Sequence, residues 1–65
     1  MKAYSIQMLG NDGRWFYLCG AMWEHTAQYW FKKYCGMYPS SSIRLCYGEN
    51  GRDTGTVHTL KTGSK

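Results

Sequence analysis

Cysteine and histidine are the residue types in this chain that could hold a metal ion such as zinc. The chain has 65 residues, among them three cysteines and two histidines. Structural zinc sites usually begin with a close pair such as Cys-x-x-Cys or His-x-x-x-His, which starts the chelate. Here five to eleven residues separate each candidate from the next, and no such pair occurs. The sequence therefore predicts no metal site and no cofactor, although its candidates are Cys19, His25, Cys35, Cys46 and His58.

Catalytic motifs are also missing from the chain. We find no nucleophile elbow, no phosphate-binding loop and no pair of carboxylates at a spacing suited to acid–base chemistry. Two of the four acidic residues, Asp12 and Asp53, stand beside glycine-containing turns, where aspartate favours turn formation. The segment Gly10-Asn11-Asp12-Gly13 indicates a hairpin rather than a nucleotide loop, because no helix begins directly after it. We expect a protein that is not an enzyme.

The odd number of cysteines argues against a small disulfide-stapled domain, which normally carries an even set. The first eight residues contain no continuous apolar stretch of the kind a signal peptide has. No apolar run approaches the roughly 18 residues that a membrane-spanning helix needs. We therefore expect free thiols and a cytoplasmic location.

Aromatic side chains must supply much of the core of so short a chain. There are three Trp, six Tyr and two Phe, and the formal net charge is only +4. Such a composition can collapse and pack, so we exclude a chain that is disordered as a whole. The length excludes several domains. The sequence predicts one domain over residues 1–61 and a frayed tail over residues 62–65.

Hydrophobic periodicity predicts the order β-β-α-β-β. Residues 2–9 and 14–19 alternate like strands around a Gly-Asn-Asp-Gly turn, and residues 23–35 have helical spacing. Residues 43–47 and 52–60 complete the pattern, with Asn50-Gly51 as a second hairpin signal. Gly36 is expected as a left-handed residue after the helix, whose start could shift because Met22 and Trp23 are poor caps. We expect an α+β fold, a small and mostly antiparallel sheet with one helix on one face.

The helix is expected to pack through a stripe of Trp23, Ala27, Trp30 and Tyr34, with Trp30 at its centre. On the strands, the alternating apolar residues complete the core. The predicted core residues are Tyr4, Ile6, Met8, Phe16, Leu18, Ala27, Trp30, Phe31, Tyr34, Ile43 and Leu45.

One face of the predicted sheet has no helix to cover it. If Phe16 and Leu18 point toward the helix, then Trp15, Tyr17 and Cys19 point away from it. Arg44 and Cys46 on the third strand then share this second face, and aromatic residues with Arg are enriched at binding hot spots. The residues predicted to bind a partner are Arg14, Trp15, Tyr17 and Arg44. Self-association into a homodimer and plain structural exposure are the other interpretations of this face.

The net positive charge permits a second hypothesis, in which the same face binds nucleic acid. Lys32, Lys33 and Arg52 would then add phosphate contacts. The cations are scattered, however, and a solvated surface is the commoner explanation of such scatter. No RRM, KH or zinc-finger pattern is present.

In architecture the chain resembles small phage-encoded accessory proteins, namely short inhibitors of host RNA polymerase and some anti-CRISPR proteins. The pattern runs from the strand at residues 4–9, through the turn Asn11-Asp12-Gly13-Arg14 and the strand at 15–19, to an aromatic helix ending Tyr34-Cys35-Gly36 and a strand at 42–47. It extends over residues 3–60 and contains no diagnostic motif, so no functional residue carries over. Modules that bind DNA through a sheet are a weaker likeness, because their helix follows three strands.

The resemblance and the aromatic face together favour a small non-catalytic binding protein that occludes or inhibits a host macromolecule. A protein partner is the first expectation and nucleic acid the alternative. The sequence predicts no membrane association, and the resemblance implies the host cytoplasm as the location if a phage encodes the chain.

Overall fold

A computed structural model describes residues 2–49 and 58–64 of the chain. The described residues form four strands and one helix, and the strands pair antiparallel in a single sheet of order β2-β1-β3-β4. This arrangement confirms the predicted α+β class. The elements are β1 (Lys2–Leu9), β2 (Trp15–Ala21), α1 (Glu24–Met37), β3 (Ser42–Glu49) and β4 (His58–Ser64).

The turn between β1 and β2 forms as the sequence predicts. Gly13 has a φ of 83°, a value that glycine adopts without the steric cost other residues incur. The backbone N–H of Gly10 donates to the Arg14 carbonyl at 2.7 Å, and the Arg14 N–H donates to Asp12 Oδ1 at 3.0 Å. The Asp12 side chain thus helps to close the hairpin.

The helix α1 connects strands on either side of β1. Both β2 and β3 are antiparallel to β1, so they run parallel to each other, and the connection between them has to cross over β1. The helix packs on one face of the sheet along this crossover. No second helix lies among the described residues to cover the opposite face.

The ends of α1 differ from the prediction. Trp23 precedes the helix in an extended conformation and gives it no side-chain cap. At the other end the N–H of Tyr38 donates to the Tyr34 carbonyl at 2.9 Å, which carries the helix past Gly36 to Met37. Gly36 is therefore helical rather than left-handed, and Gly13 is the positive-φ glycine of the described residues.

The helix is also rotated relative to the predicted stripe. Its buried residues are Ala27 and Phe31, which pack on Ile6, Ile43 and Leu45 of the sheet. Trp30 is 36% exposed, so its prediction as a core residue is wrong, and Trp23, predicted as part of the packing stripe, is 67% exposed. Tyr34 is partly buried against the core, as are Tyr4, Met8, Leu18, Cys19, Ala21 and Cys35.

The close approach of α1 to β4 explains this rotation. A Cβ placed on Gly63 would lie 2.8 Å from Cys35 Sγ and 3.1 Å from Cζ of Phe31. Ala27 and Gly63 leave a narrow space between helix and sheet, which the Phe31 ring fills. We infer that an indole at the centre of the contact would hold the helix further from the sheet.

A β-bulge in β2 changes which side chains face the helix. Ile6 pairs with Cys19 and Gln7 pairs with Tyr17, so Leu18 is an extra residue on β2. Cys19 therefore packs against the core instead of pointing away from it. Phe16, predicted as core, is 51% exposed on this edge strand and packs against Gly10 of the turn.

The last strand ends later than predicted, at Ser64. Leu45 pairs with Lys61 and Cys46 pairs with Thr59, so Leu60 is the extra residue of a second bulge. Residues 62–64 pair with residues 42–44, so the predicted frayed tail over residues 62–65 is wrong for these three residues. Asn50-Gly51 and the predicted start of the strand at residues 52–57 lie outside the described residues. In the described ranges, α1 is too short and too polar to cross a membrane.

Candidate functional site

The sheet face opposite α1 carries the predicted partner-binding side chains. Strand pairing sets Tyr17 and Arg44 on either side of Gln7, and it sets Trp15 beside Leu9. Because directly paired residues project to the same face, Trp15, Tyr17 and Arg44 share this face, as the sequence predicts.

A chain of polar contacts orients the guanidinium of Arg44. Its Nε donates to Gln7 Oε1 at 2.8 Å, and Gln7 Nε2 donates to Ser5 Oγ at 3.1 Å. Cζ of the same guanidinium lies 4.2 Å from the centroid of the Trp15 ring, a distance at which cation–π attraction is strong. We call these four residues, Ser5, Gln7, Trp15 and Arg44, the Trp15–Arg44 cluster.

The centre of this face is closely packed. Ser5, Gln7 and Cys46 are completely or almost completely buried, and Cys46 Sγ lies 4.0 Å from Thr59 Oγ1. A buried amide is costly unless it is hydrogen bonded, and both ends of the Gln7 amide have partners. The Trp15 and Arg44 side chains therefore lie beside a buried and hydrogen-bonded polar layer.

Tyr17 and Arg14 complete the predicted set at the edge of the face. The Tyr17 ring lies over Gly20, and its hydroxyl occupies the place where a larger residue would put its Cβ. The Tyr17 side chain is 47% exposed. Arg14 is exposed at the end of the turn, directly before β2.

Two residues of the nucleic-acid alternative, Lys32 and Lys33, do not join this face. Lys32 and Lys33 lie on α1, which packs on the other face of the sheet. Arg52 lies outside the described residues. The structure thus separates the helix lysines from Trp15, and the combined surface of the alternative hypothesis does not form from the described residues.

Sequence reasoning missed an aromatic row on α1. The ring of Trp30 lies 5.2 Å from that of Tyr29 and 6.0 Å from that of Tyr34, and Tyr34 stacks on Tyr38 at 6.3 Å. The ammonium of Lys33 lies 5.7 Å from the Tyr29 ring and 5.9 Å from the Trp30 ring. The helical spacing of these residues was a usable signal, but assigning Trp30 to the core hid it.

A groove of about 470 Å³ lies between α1 and the edge strand β4. Lys32 from the helix and Lys61 from the strand line it, and Phe31 and Gly63 also contribute to its lining. Three further polar side chains from one face of α1 line the groove, namely His25, Gln28 and Tyr29. We did not predict this groove from the sequence, because Lys61 was placed at the end of the predicted domain.

Cys19 and Cys35 have the properties of structural cysteines. Burial raises the pKa of Cys19, and a hydrogen bond with Tyr34 partly opposes this rise. Burial also raises the pKa of Cys35. A raised pKa keeps a thiol protonated at neutral pH and so makes it a poor nucleophile. All three cysteines lie in the described part of the chain, and no disulfide joins them.

No cluster of three or more His, Cys, Asp or Glu side chains suited to a metal ion occurs in residues 2–49 and 58–64.

Comparisons of the chain with protein-family models, with curated proteins and with solved structures find no significant match. The likeness to phage-encoded inhibitors therefore stays a prediction from architecture.

Proposed function

We propose that this protein is a non-catalytic binding protein that occludes or inhibits a host macromolecule, and that the partner is a protein. The docking surface is the sheet face opposite α1. Trp15, Tyr17 and Arg44 are its anchors, and Arg14 lies at its rim. The observation that carries the proposal is the stacking of the Arg44 guanidinium on Trp15 while Gln7 holds its Nε.

This arrangement supports binding because it is formed in advance. Ordering a flexible side chain costs about 0.5–1.5 kcal/mol on association, and a side chain that is already held avoids most of that cost. Arg44 has a hydrogen-bond partner and a ring contact before any partner arrives. Aromatic residues and arginine are also the residue types that contribute most to protein–protein interfaces.

The charges on this face favour a protein over a nucleic acid. Among the described residues, the cations on or beside the face are Arg14 and Arg44. Lys2 alternates with the core residue Ile6 along β1 and so points to the helix side, where Lys32, Lys33 and Lys61 also lie. Arg44 is already held by Gln7 and Trp15. An arginine that neighbouring side chains already hold has fewer donors left for phosphate, whereas such an arginine beside exposed aromatic rings is typical of a protein hot spot.

The test compares two aromatic variants of β2. Tyr17→Ala and Phe16→Ala each remove a half-exposed ring from the same strand, at 47% and 51% exposure, but from opposite faces of the sheet. In affinity capture with identification by mass spectrometry, we expect a partner that the parent and Phe16→Ala retain and Tyr17→Ala loses. Trp15→Ala should lose the same partner.

Circular dichroism of each variant shows whether the fold is intact, and Tyr17→Ala alone suffices if Trp15→Ala unfolds. The purified partner should then lose activity when the parent protein is added and keep it when Tyr17→Ala is added. Equal capture by the parent and a folded Tyr17→Ala, or equal loss in the Phe16→Ala control, would contradict the proposal.

A further inference from the structure

We propose a second binding site, on the opposite side of the sheet, in which the groove between α1 and β4 binds a single strand of nucleic acid. We call this site the lysine groove; it comprises His25, Gln28, Tyr29, Lys32 and Lys61. It shares no residue with the docking face proposed above, and the two proposals stand independently.

Charge complementarity is the first argument. Lys32 and Lys61 come from two different elements and line the same groove. As far as the described residues go, no carboxylate lines this groove. Glu24, one helical turn before Gln28, is outside the lining, and its carboxylate accepts a hydrogen bond from Gln28 Nε2 at 2.9 Å. A phosphodiester backbone offers the regularly spaced negative charge that two separate lysines can contact.

The second argument is an exposed ring beside these charges. Tyr29 is 57% exposed and precedes Lys32 and Lys33 by three and four residues, so both lysines are its neighbours on the helix surface. The Lys33 ammonium lies 5.7 Å from the Tyr29 ring. Aromatic rings within a cationic groove are the usual means by which proteins bind single strands, because every base can stack on a ring.

The shape of the groove favours a strand over a free nucleotide or a duplex. A small-molecule site generally encloses most of its ligand, whereas this groove is open to solvent between a helix and an edge strand. A strand compensates for that openness by making several phosphate and base contacts. A duplex would hide its bases from Tyr29, which could then contribute no stacking.

The experiment measures fluorescence anisotropy of a labelled oligothymidylate of about 12 nucleotides, a length within the usual site size of a small module. We expect the parent to bind at low salt. Lys32→Gln combined with Lys61→Gln should weaken binding about tenfold, and it should reduce the slope of log K against log salt by about 1.4, the value for two phosphates on a single strand.

A charge-matched control separates the groove from general electrostatics. Lys2→Gln with Arg14→Gln removes the same charge from exposed positions outside the groove lining, and we expect a loss of less than about threefold. Tyr29→Ala should lower the affinity for the oligonucleotide about fivefold and leave the slope of log K against log salt unchanged. Tyr29→Phe should retain the affinity, since it keeps the ring.

The proposal is wrong if no binding occurs at low salt or if the charge-matched control loses as much affinity as the groove variant. It is also wrong if adenosine monophosphate, a duplex of the same length or polyglutamate competes as well as the unlabelled oligonucleotide. Equal competition by any of these three compounds would assign the groove to a different ligand. Tyr17→Ala should bind the oligonucleotide like the parent, so failure of this site leaves the docking face untouched.

Discussion

Phe31 and Trp30 are adjacent in the chain, yet the structure gives them opposite roles. Phe31 is buried among Ile6, Ile43 and Leu45, whereas Trp30 lies on the helix surface between Tyr29 and Tyr34. The stability of the fold should follow burial rather than side-chain size, because surface rings still contact water in the folded state.

Truncation of these two residues tests the helix orientation. Phe31→Ala should lower the free energy of unfolding by about 3–5 kcal/mol, the usual cost of removing a buried aromatic ring. Trp30→Ala should cost about 1 kcal/mol, mainly through its lost ring contacts. Urea denaturation followed by circular dichroism measures both values. If Phe31→Ala is largely unfolded, Phe31→Leu still supplies a comparison, and a larger cost for Trp30→Ala would show that α1 packs through its tryptophan side.

At the scale of elements, both edges of the sheet carry a bulge. Leu18 is the extra residue on β2 and Leu60 is the extra residue on β4. Bulges interrupt the regular row of edge N–H and C=O groups that a second chain would need for pairing. Two copies are therefore unfavourably shaped to pair strand to strand at either edge, which disfavours this form of the homodimer that the sequence allows.

Two glycines test how closely α1 lies on β4. Gly63→Ala should destabilise the protein by about 1–3 kcal/mol, because the new methyl group would lie 2.8 Å from Cys35 Sγ and push the helix outward. Gly36→Ala is the matched control, since Gly36 is helical and its Cβ would meet no atom within 4 Å. It should stabilise the protein by about 0.5–1 kcal/mol. Thermal melts compare the two, and a neutral Gly63→Ala would contradict the close contact.

For the whole molecule, the two proposed surfaces lie on opposite sides of one thin sheet. The Trp15–Arg44 cluster faces away from α1, and the lysine groove lies between α1 and β4. A partner on one side leaves the other side accessible. The chain could in this way hold a protein and a nucleic-acid strand together without a second domain.

The protonation of several partly buried groups predicts how stability depends on pH. Burial raises the pKa values of Cys19, Cys35, Tyr34 and Tyr4 above their ordinary range. The unfolded chain then loses these protons at lower pH than the folded chain. The stabilisation is complete below about pH 8.5, the ordinary thiol pKa, and is lost as the pH rises through the folded values.

Urea denaturation between about pH 7 and about pH 10 measures this effect under reducing conditions. We expect the free energy of unfolding to fall across the alkaline part of that range. The double variant Cys19→Ala with Cys35→Ala removes two of the four groups and should show a shallower fall. Identical curves for parent and variant would exclude the thiols as a cause.

Much of the candidate site on the sheet face followed from local alternation. Trp15 and Tyr17 are two residues apart in a strand, so they had to share a face, and Arg44 joined them once Ile43 and Leu45 were assigned to the core. The supporting contacts of Gln7 and Ser5 could not be predicted, because they depend on which residues the pairing sets opposite each other. The lysine groove escaped prediction for the same reason, since Lys32 and Lys61 meet only after β4 pairs with β3.

Local sequence was enough to predict the kinds of elements, their order and the first hairpin turn. These depend on interactions within a few residues, such as the alternation of β1 and the positive φ of Gly13. Tertiary structure decided the rotation of α1, the two bulges and the pairing of residues 62–64. Those features depend on how well distant surfaces fit. Phe31 rather than Trp30 is in the core because Ala27 and Gly63 leave room for a smaller ring, and no local spacing in the helix records that distance.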